Sequence, residues 1–111
     1  MRVMACAVLF VLAPNAGAVG QEGGGAYVVG AGALTCADLL TDATATEAVS
    51  SWILGFFSGA NTSRFVQVGS ASSGSSIVAE ARQICATKPN STLWDVVSDF
   101  YLQVAKREGR V

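Results

Sequence analysis

The pair Cys36 and Cys85 narrows what this chain can fold into more than any other feature. The chain has 111 residues and a third cysteine, Cys6, inside a stretch with the marks of a secretory leader. Arg2 gives a minimal positive start, and Val3 to Ala13 is an apolar run. Pro14 breaks that run, and Ala16-Gly17-Ala18 supplies the small-x-small pattern that signal peptidase reads. The run is too short to span a bilayer as a helix, which needs about 20 residues. Residues 1–18 are therefore read as a signal peptide removed on export, taking Cys6 with them. Cys36 and Cys85 remain as an even pair in a small exported domain, which points to a disulfide. Two buried free thiols are the alternative. By chain entropy, closing a loop of roughly fifty residues is worth about 4 kcal/mol. A domain of this size holds about 5–15 kcal/mol in all, so such a bridge is a large share of it.

The composition excludes several function classes. The chain has no histidine, which rules out Ser-His-Asp and Cys-His catalytic arrangements and histidine metal sites. Seven basic against eight acidic side chains, a formal −1, provide no basic stripe for nucleic acid. With 51% hydrophobic and 14% charged residues, one domain with its own core is expected. After leader cleavage no segment is long and apolar enough to span a membrane.

Residues 19–33 carry six glycines between two short apolar pieces and read as a flexible N-terminal arm. Tyr27-Val28-Val29 is the part of it suited to a brief extended contact. Residues 34–108 then read as a helical domain. Thr35-Cys36-Ala37-Asp38 fits a capping box that opens a short helix through about Leu40. Thr44-Ala45-Thr46-Glu47 repeats the device ahead of the longest amphipathic run. There Val49, Trp52, Ile53, Phe56, Phe57 and Ala60 fall on one helix face. Gly55 and Gly59 share a side of that helix, where another helix is expected to approach closely. Residues 61–76, rich in Ser, Gly and Thr, read as a loop or partly ordered connection. A third helix is expected from about Ile77 to Thr87, capped by Ser76 and stopped by Pro89. Thr92 starts the last helix, whose stripe is Leu93, Val96, Val97, Phe100, Tyr101 and Val104. The fold class expected is all-α, a small bundle of about four helices with one intramolecular disulfide.

No catalytic constellation, metal-ligand set or cofactor motif emerges, and a non-enzymatic role is expected. Asp95 and Asp99 share a helix side, but a solvated face explains them. Asp38, Asp42 and Glu47 are accounted for as charges at helix starts rather than as oxygen ligands. Asn61-Thr62-Ser63 and Asn90-Ser91-Thr92 match a glycosylation pattern short enough to recur by chance. Trp52, Phe56, Phe57, Phe100 and Tyr101 at helical spacing are read as core. Trp94 lies off the main stripe beside Asp95 and Ser98. It is either an exposed anchor for a protein partner or packed beneath the arm or the serine-rich loop.

Leu34-Thr35-Cys36-Ala37-Asp38-Leu39-Leu40 resembles the Thr-Cys-acidic-hydrophobic opening of the HdeA/HdeB family. Ile84-Cys85 through Lys88-Pro89, followed by the Leu93 to Arg107 helix, resembles that family's second cysteine and closing helix. The resemblance covers residues 34–107. It implies a small periplasmic protein with one disulfide, often a homodimer near neutral pH, that binds unfolding proteins in acid. The sequence departs from the family's lysine-rich pattern, since Lys88 and Lys106 are its only lysines.

In acid the carboxylates, with reference values near pH 4, lose their charge and leave the chain net positive. Asp38, Glu47 and Asp95 lie in first helical turns, where the dipole favours the ionised form, so they are the expected pH-sensitive positions. The expected client-binding residues are Phe56, Phe57, Trp94, Phe100 and Tyr101. The alternative function is a periplasmic immunity protein that neutralises a type VI secretion effector through one specific face.

Overall fold

The computed structural model describes residues 27–110. The expected signal peptide and residues 19–26 of the expected arm lie outside the described residues. A 3-10 turn, Gly30–Ala33, leads into α1 (Cys36–Thr41). A second 3-10 turn, Ala43–Ala45, leads into α2 (Thr46–Arg64), followed by α3 (Gly74–Ala86) and α4 (Leu93–Arg107). Among the described residues there is no strand, only an isolated bridge between Thr35 and Thr92. The bundle is all-α, and Cys36 is bonded to Cys85 across a sequence separation of 49, with Cα atoms 5.3 Å apart.

The helices start where local chemistry satisfies their free N–H groups. Thr35 Oγ1 accepts from Asp38 N at α1, and Thr92 Oγ1 accepts from Asp95 N at α4. These two capping threonines face each other across the bridge. Cys36 N donates to the Ser91 carbonyl at 2.8 Å, Ala37 N to that of Pro89, and Leu93 N to that of Leu34. First-turn amides with no partner in their own helix are thereby paired between segments.

Two expected caps are displaced. Thr44 does not cap α2; Asp42 instead accepts from the Thr44 N–H and hydroxyl and caps the preceding 3-10 turn. Ser73, not Ser76, caps α3, because its Oγ accepts from Ser76 N and the helix begins at Gly74. Both differences follow from a side-chain acceptor a few residues upstream that closes the turn earlier.

The core follows the apolar stripes. Val49, Ile53 and Phe57 of α2, Ile77, Ala81 and Cys85 of α3, and Leu93, Val96, Val97, Phe100, Tyr101 and Val104 of α4 are all buried. The close approach expected at Gly55 and Gly59 does not occur. Both glycines are exposed, and nothing lies within 4 Å of where their Cβ atoms would be. They stand on the side of α2 opposite its apolar stripe, so the stripe rather than the small residues chose the packed face. The close approach is made by Gly32 instead. A Cβ there would fall inside the Trp52 indole, and the indole N–H donates to the Val29 carbonyl at 2.9 Å. Residues 27–33 thus end in an ordered turn seated on α2.

Candidate functional site

The last turns of α2 and the start of α3 enclose the part of the molecule with the most varied chemistry. Helix α2 runs to Arg64, further than the expected loop boundary at residue 61. The connection to α3 is residues 65–73. It is fixed from two sides. Asn61 projects from α2 and takes both backbone groups of Val68: Nδ2 donates to the carbonyl at 2.9 Å, and Oδ1 accepts the N–H at 3.0 Å. The same Oδ1 accepts the hydroxyl proton of buried Tyr101 at 2.8 Å. From α4, the Glu108 carboxylate accepts the N–H groups of Gly69 at 2.8 Å and Ala71 at 3.2 Å. The Glu108 side chain is only 8% exposed, and Arg110 Nε lies 3.5 Å from it.

These bonds press the loop onto aromatic side chains. Val68 is buried. Gly69 has φ +92°, a left-handed conformation that favours glycine. A Cβ at Gly69 would sit 2.8 Å from Ile77 Cδ1 and 3.3 Å from Phe57 Cδ2. Beneath lies a run of rings. Phe57 meets Tyr101 edge-on at 5.1 Å and Phe100 at 5.8 Å, while Phe56 meets Tyr101 at 5.9 Å and Trp52 at 5.6 Å. The Arg64 guanidinium stands 5.6 Å above the Tyr101 ring. Between loop and helices is an open groove of about 480 Å³ that reaches Leu54, Phe57, Asn61 and Ile77.

Of the expected binding residues, Phe57, Phe100 and Tyr101 are brought together and buried, and Phe56 is half-buried beside them. Trp94 is half-buried and stands outside this ring cluster. Asp38, Glu47 and Asp95 occupy first turns of α1, α2 and α4 as expected, and all three are exposed. The carboxylate that responds to its surroundings is Asp42. The Thr44 hydroxyl, and secondarily the Thr44 N–H, hold it below its ordinary value of 3.8. Between α3 and α4, Arg107 and Glu80 form a two-pronged ion pair at 3.0 and 3.2 Å that raises the Arg107 pKa.

Sequence reasoning missed Asn61, Glu108 and Phe65. Asn61 carried one usable signal, a lone amide on α2 four residues, about one turn, after Phe57. Glu108 carried none, because its loop partners lie 39 and 37 residues away in the chain. Phe65 ends α2 in the left-handed conformation, φ 55°, with its ring 96% exposed. A bulky side chain there costs about 1–2 kcal/mol. Among the described residues no group of three His, Cys, Asp or Glu side chains is placed to hold a metal ion, and no helix is long and apolar enough to cross a membrane. No protein-family model matches the chain, and neither the curated proteins nor the solved structures contain a match.

Proposed function

We propose that this chain is an exported, non-enzymatic protein-binding module that acts as an acid-stress chaperone in the manner of the HdeA/HdeB family. One observation carries the reading: a carboxylate at the end of α4, Glu108, accepts two N–H groups of the loop over the aromatic seam. A carboxylate is an acceptor only, and its protonated form presents a donor and a weaker acceptor instead. In acid the carboxylates as a class lose their charge. The basic residues then repel one another across the bundle. The loop lifts, Phe57, Val68 and Ile77 meet solvent, and the Cys36–Cys85 bridge keeps the loosened chain from expanding fully. Unfolding proteins bind to the apolar surface so uncovered. The test is light scattering from an aggregating client at pH 2–3 and at pH 7. Suppression in acid alone is expected, and none at molar excess removes the proposal.

A second reading, an immunity protein that blocks a type VI secretion effector, draws on Phe65. An aromatic ring held at 96% exposure in a left-handed backbone suits an anchor offered at neutral pH. A single partner retained at pH 7, and lost in Phe65→Ala, distinguishes this reading from the first.

A further inference from the structure

A different seam of the bundle carries a second chemistry. Helices α2 and α3 run antiparallel, and along their outer junction lies an open trough of about 460 Å³ lined by Thr46, Ser50, Leu54, Val78, Ala79 and Arg82. Ser75, which also lines it, has its Oγ 3.1 Å from Ser73 Oγ, and the other two hydroxyls donate to carbonyl oxygens. Ser50 Oγ bonds to the Thr46 carbonyl at 2.9 Å, and Thr46 Oγ1 to that of Ala43 at 3.2 Å. What faces the trough is therefore largely hydrocarbon, and Arg82 is the one charged residue that lines it. Arg82 Nη1 is covered by protein and has no hydrogen-bond partner. The ion pairs among the described residues engage Arg107 and Arg110 but not Arg82. The other basic side chains between residues 27 and 110 are exposed, whereas Arg82 is half-buried. A guanidinium nitrogen withdrawn from water with no acceptor is unfavourable, and an incoming anion relieves it.

The trough meets the groove beneath the 65–73 loop at Leu54 and Gly74, which line both. From Thr46 to Asn61 the combined path follows about 22 Å of helix. It is thus long and, along the trough, largely apolar, with an unpartnered guanidinium nitrogen towards one end. Inorganic phosphate would answer the charge and leave the walls wet. A neutral hydrocarbon would fill the walls and leave the guanidinium without an acceptor. We infer that the α2/α3 trough binds a long-chain monocarboxylate, its carboxylate paired with Arg82 and its tail laid along Val78, Ala79 and Leu54 towards Phe57 and Ile77. The Arg82 side chain turns about its terminal torsions to bring Nη1 onto the carboxylate, and the pair forms in surroundings that strengthen it. The tail end of the site reaches the groove beneath the 65–73 loop that Glu108 also holds. It operates at neutral pH and does not depend on the acid reading.

The test uses the oxidised full chain at pH 7, titrated below the micelle threshold with laurate labelled at its carboxyl carbon. Expected are saturable heat and a shifted carboxyl resonance. In Arg82→Gln the affinity falls about tenfold or more, and Arg82→Lys recovers part of it. Ala79→Trp blocks the trough without touching the guanidinium and also abolishes binding. Acetate and 1-dodecanol each bind at least about tenfold more weakly than laurate. Far-UV circular dichroism shows that each variant is folded; if Arg82→Gln is not, the Ala79→Trp and dodecanol results decide. The inference is overturned by absence of saturable laurate binding, by equal affinity for dodecanol, or by folded variants that bind as wild type. It is also overturned if an acidic amphipathic peptide occupies the trough and laurate does not displace it.

Discussion

The two ends of the α2–α3 hairpin solve one problem with opposite chemistry. At the far end of α3, Cys85 is bonded to Cys36, and the starts of α1 and α4 are laced together by backbone hydrogen bonds. At the hairpin tip, the 65–73 loop is held by Asn61 from one side and Glu108 from the other. The first end is closed by a covalent bond that a reductant breaks. The second is tied by side-chain hydrogen bonds to loop backbone groups.

Breaking the covalent end carries the largest expected effect. Cys36→Ser with Cys85→Ser loses about 4 kcal/mol of stability by the loop-closure argument, measured by urea unfolding. The reduced wild type should match the double variant. At the tip, Asn61→Ala strips partners from Tyr101 Oη and from both backbone groups of Val68. Leaving such groups unpaired costs about 2–3 kcal/mol, and amide exchange at Val68 should quicken well before the α4 core does. Glu108→Gln keeps one acceptor oxygen and removes the charge. It should cost about 1–2 kcal/mol at pH 7, read from urea midpoints. No loss of stability would sink the account of Glu108 as an attachment of the tip.

Phe65→Gly sharpens the comparison in the opposite direction. Relief of a left-handed phenylalanine, less the extra chain entropy of glycine, should raise stability by roughly 0.5–1 kcal/mol. The smallest effect belongs to Asp42, at neither end. Its pKa is lowered in the folded protein by the Thr44 hydroxyl and N–H. Its contribution is therefore fully present above the unfolded value of 3.8 and fades as pH falls through the lower folded value. Asp42→Asn should remove that part of the acid slope in urea midpoints measured from pH 7 to 2 and leave the rest.

The two ends also differ in how legible they were. The covalent end could be read from the chain because its signals are local or arithmetic. Thr35 and Thr92 each cap a helix through an amide three residues on, and Cys36 and Cys85 are the pair that remains once the expected leader with Cys6 is set aside. At the tip the signals are neither. The Ser- and Gly-rich composition of residues 61–76 suggested slackness, yet Asn61 and Ser73–Ser76 belong to helices and their first caps. The bonds from Glu108 that fix the loop join residues 39 and 37 positions apart, and the Tyr101 bond that holds Asn61 in place spans 40. Glycine misled in a similar way: the spaced pair Gly55 and Gly59 met nothing, while Gly32 in the supposed arm met Trp52.

By itself, then, the sequence determined four helices, the face each one buries, and the pair of sulfurs available to tie them. Helical periodicity and capping act within about one turn, so a linear reading contains them. Only the tertiary structure decided that Glu108 and Asn61 would meet the loop, that Arg82 would be left without an acceptor, and that Phe65 would face water. Those outcomes depend on how the helices pack and on where their turns end, which no run of neighbouring residues encodes.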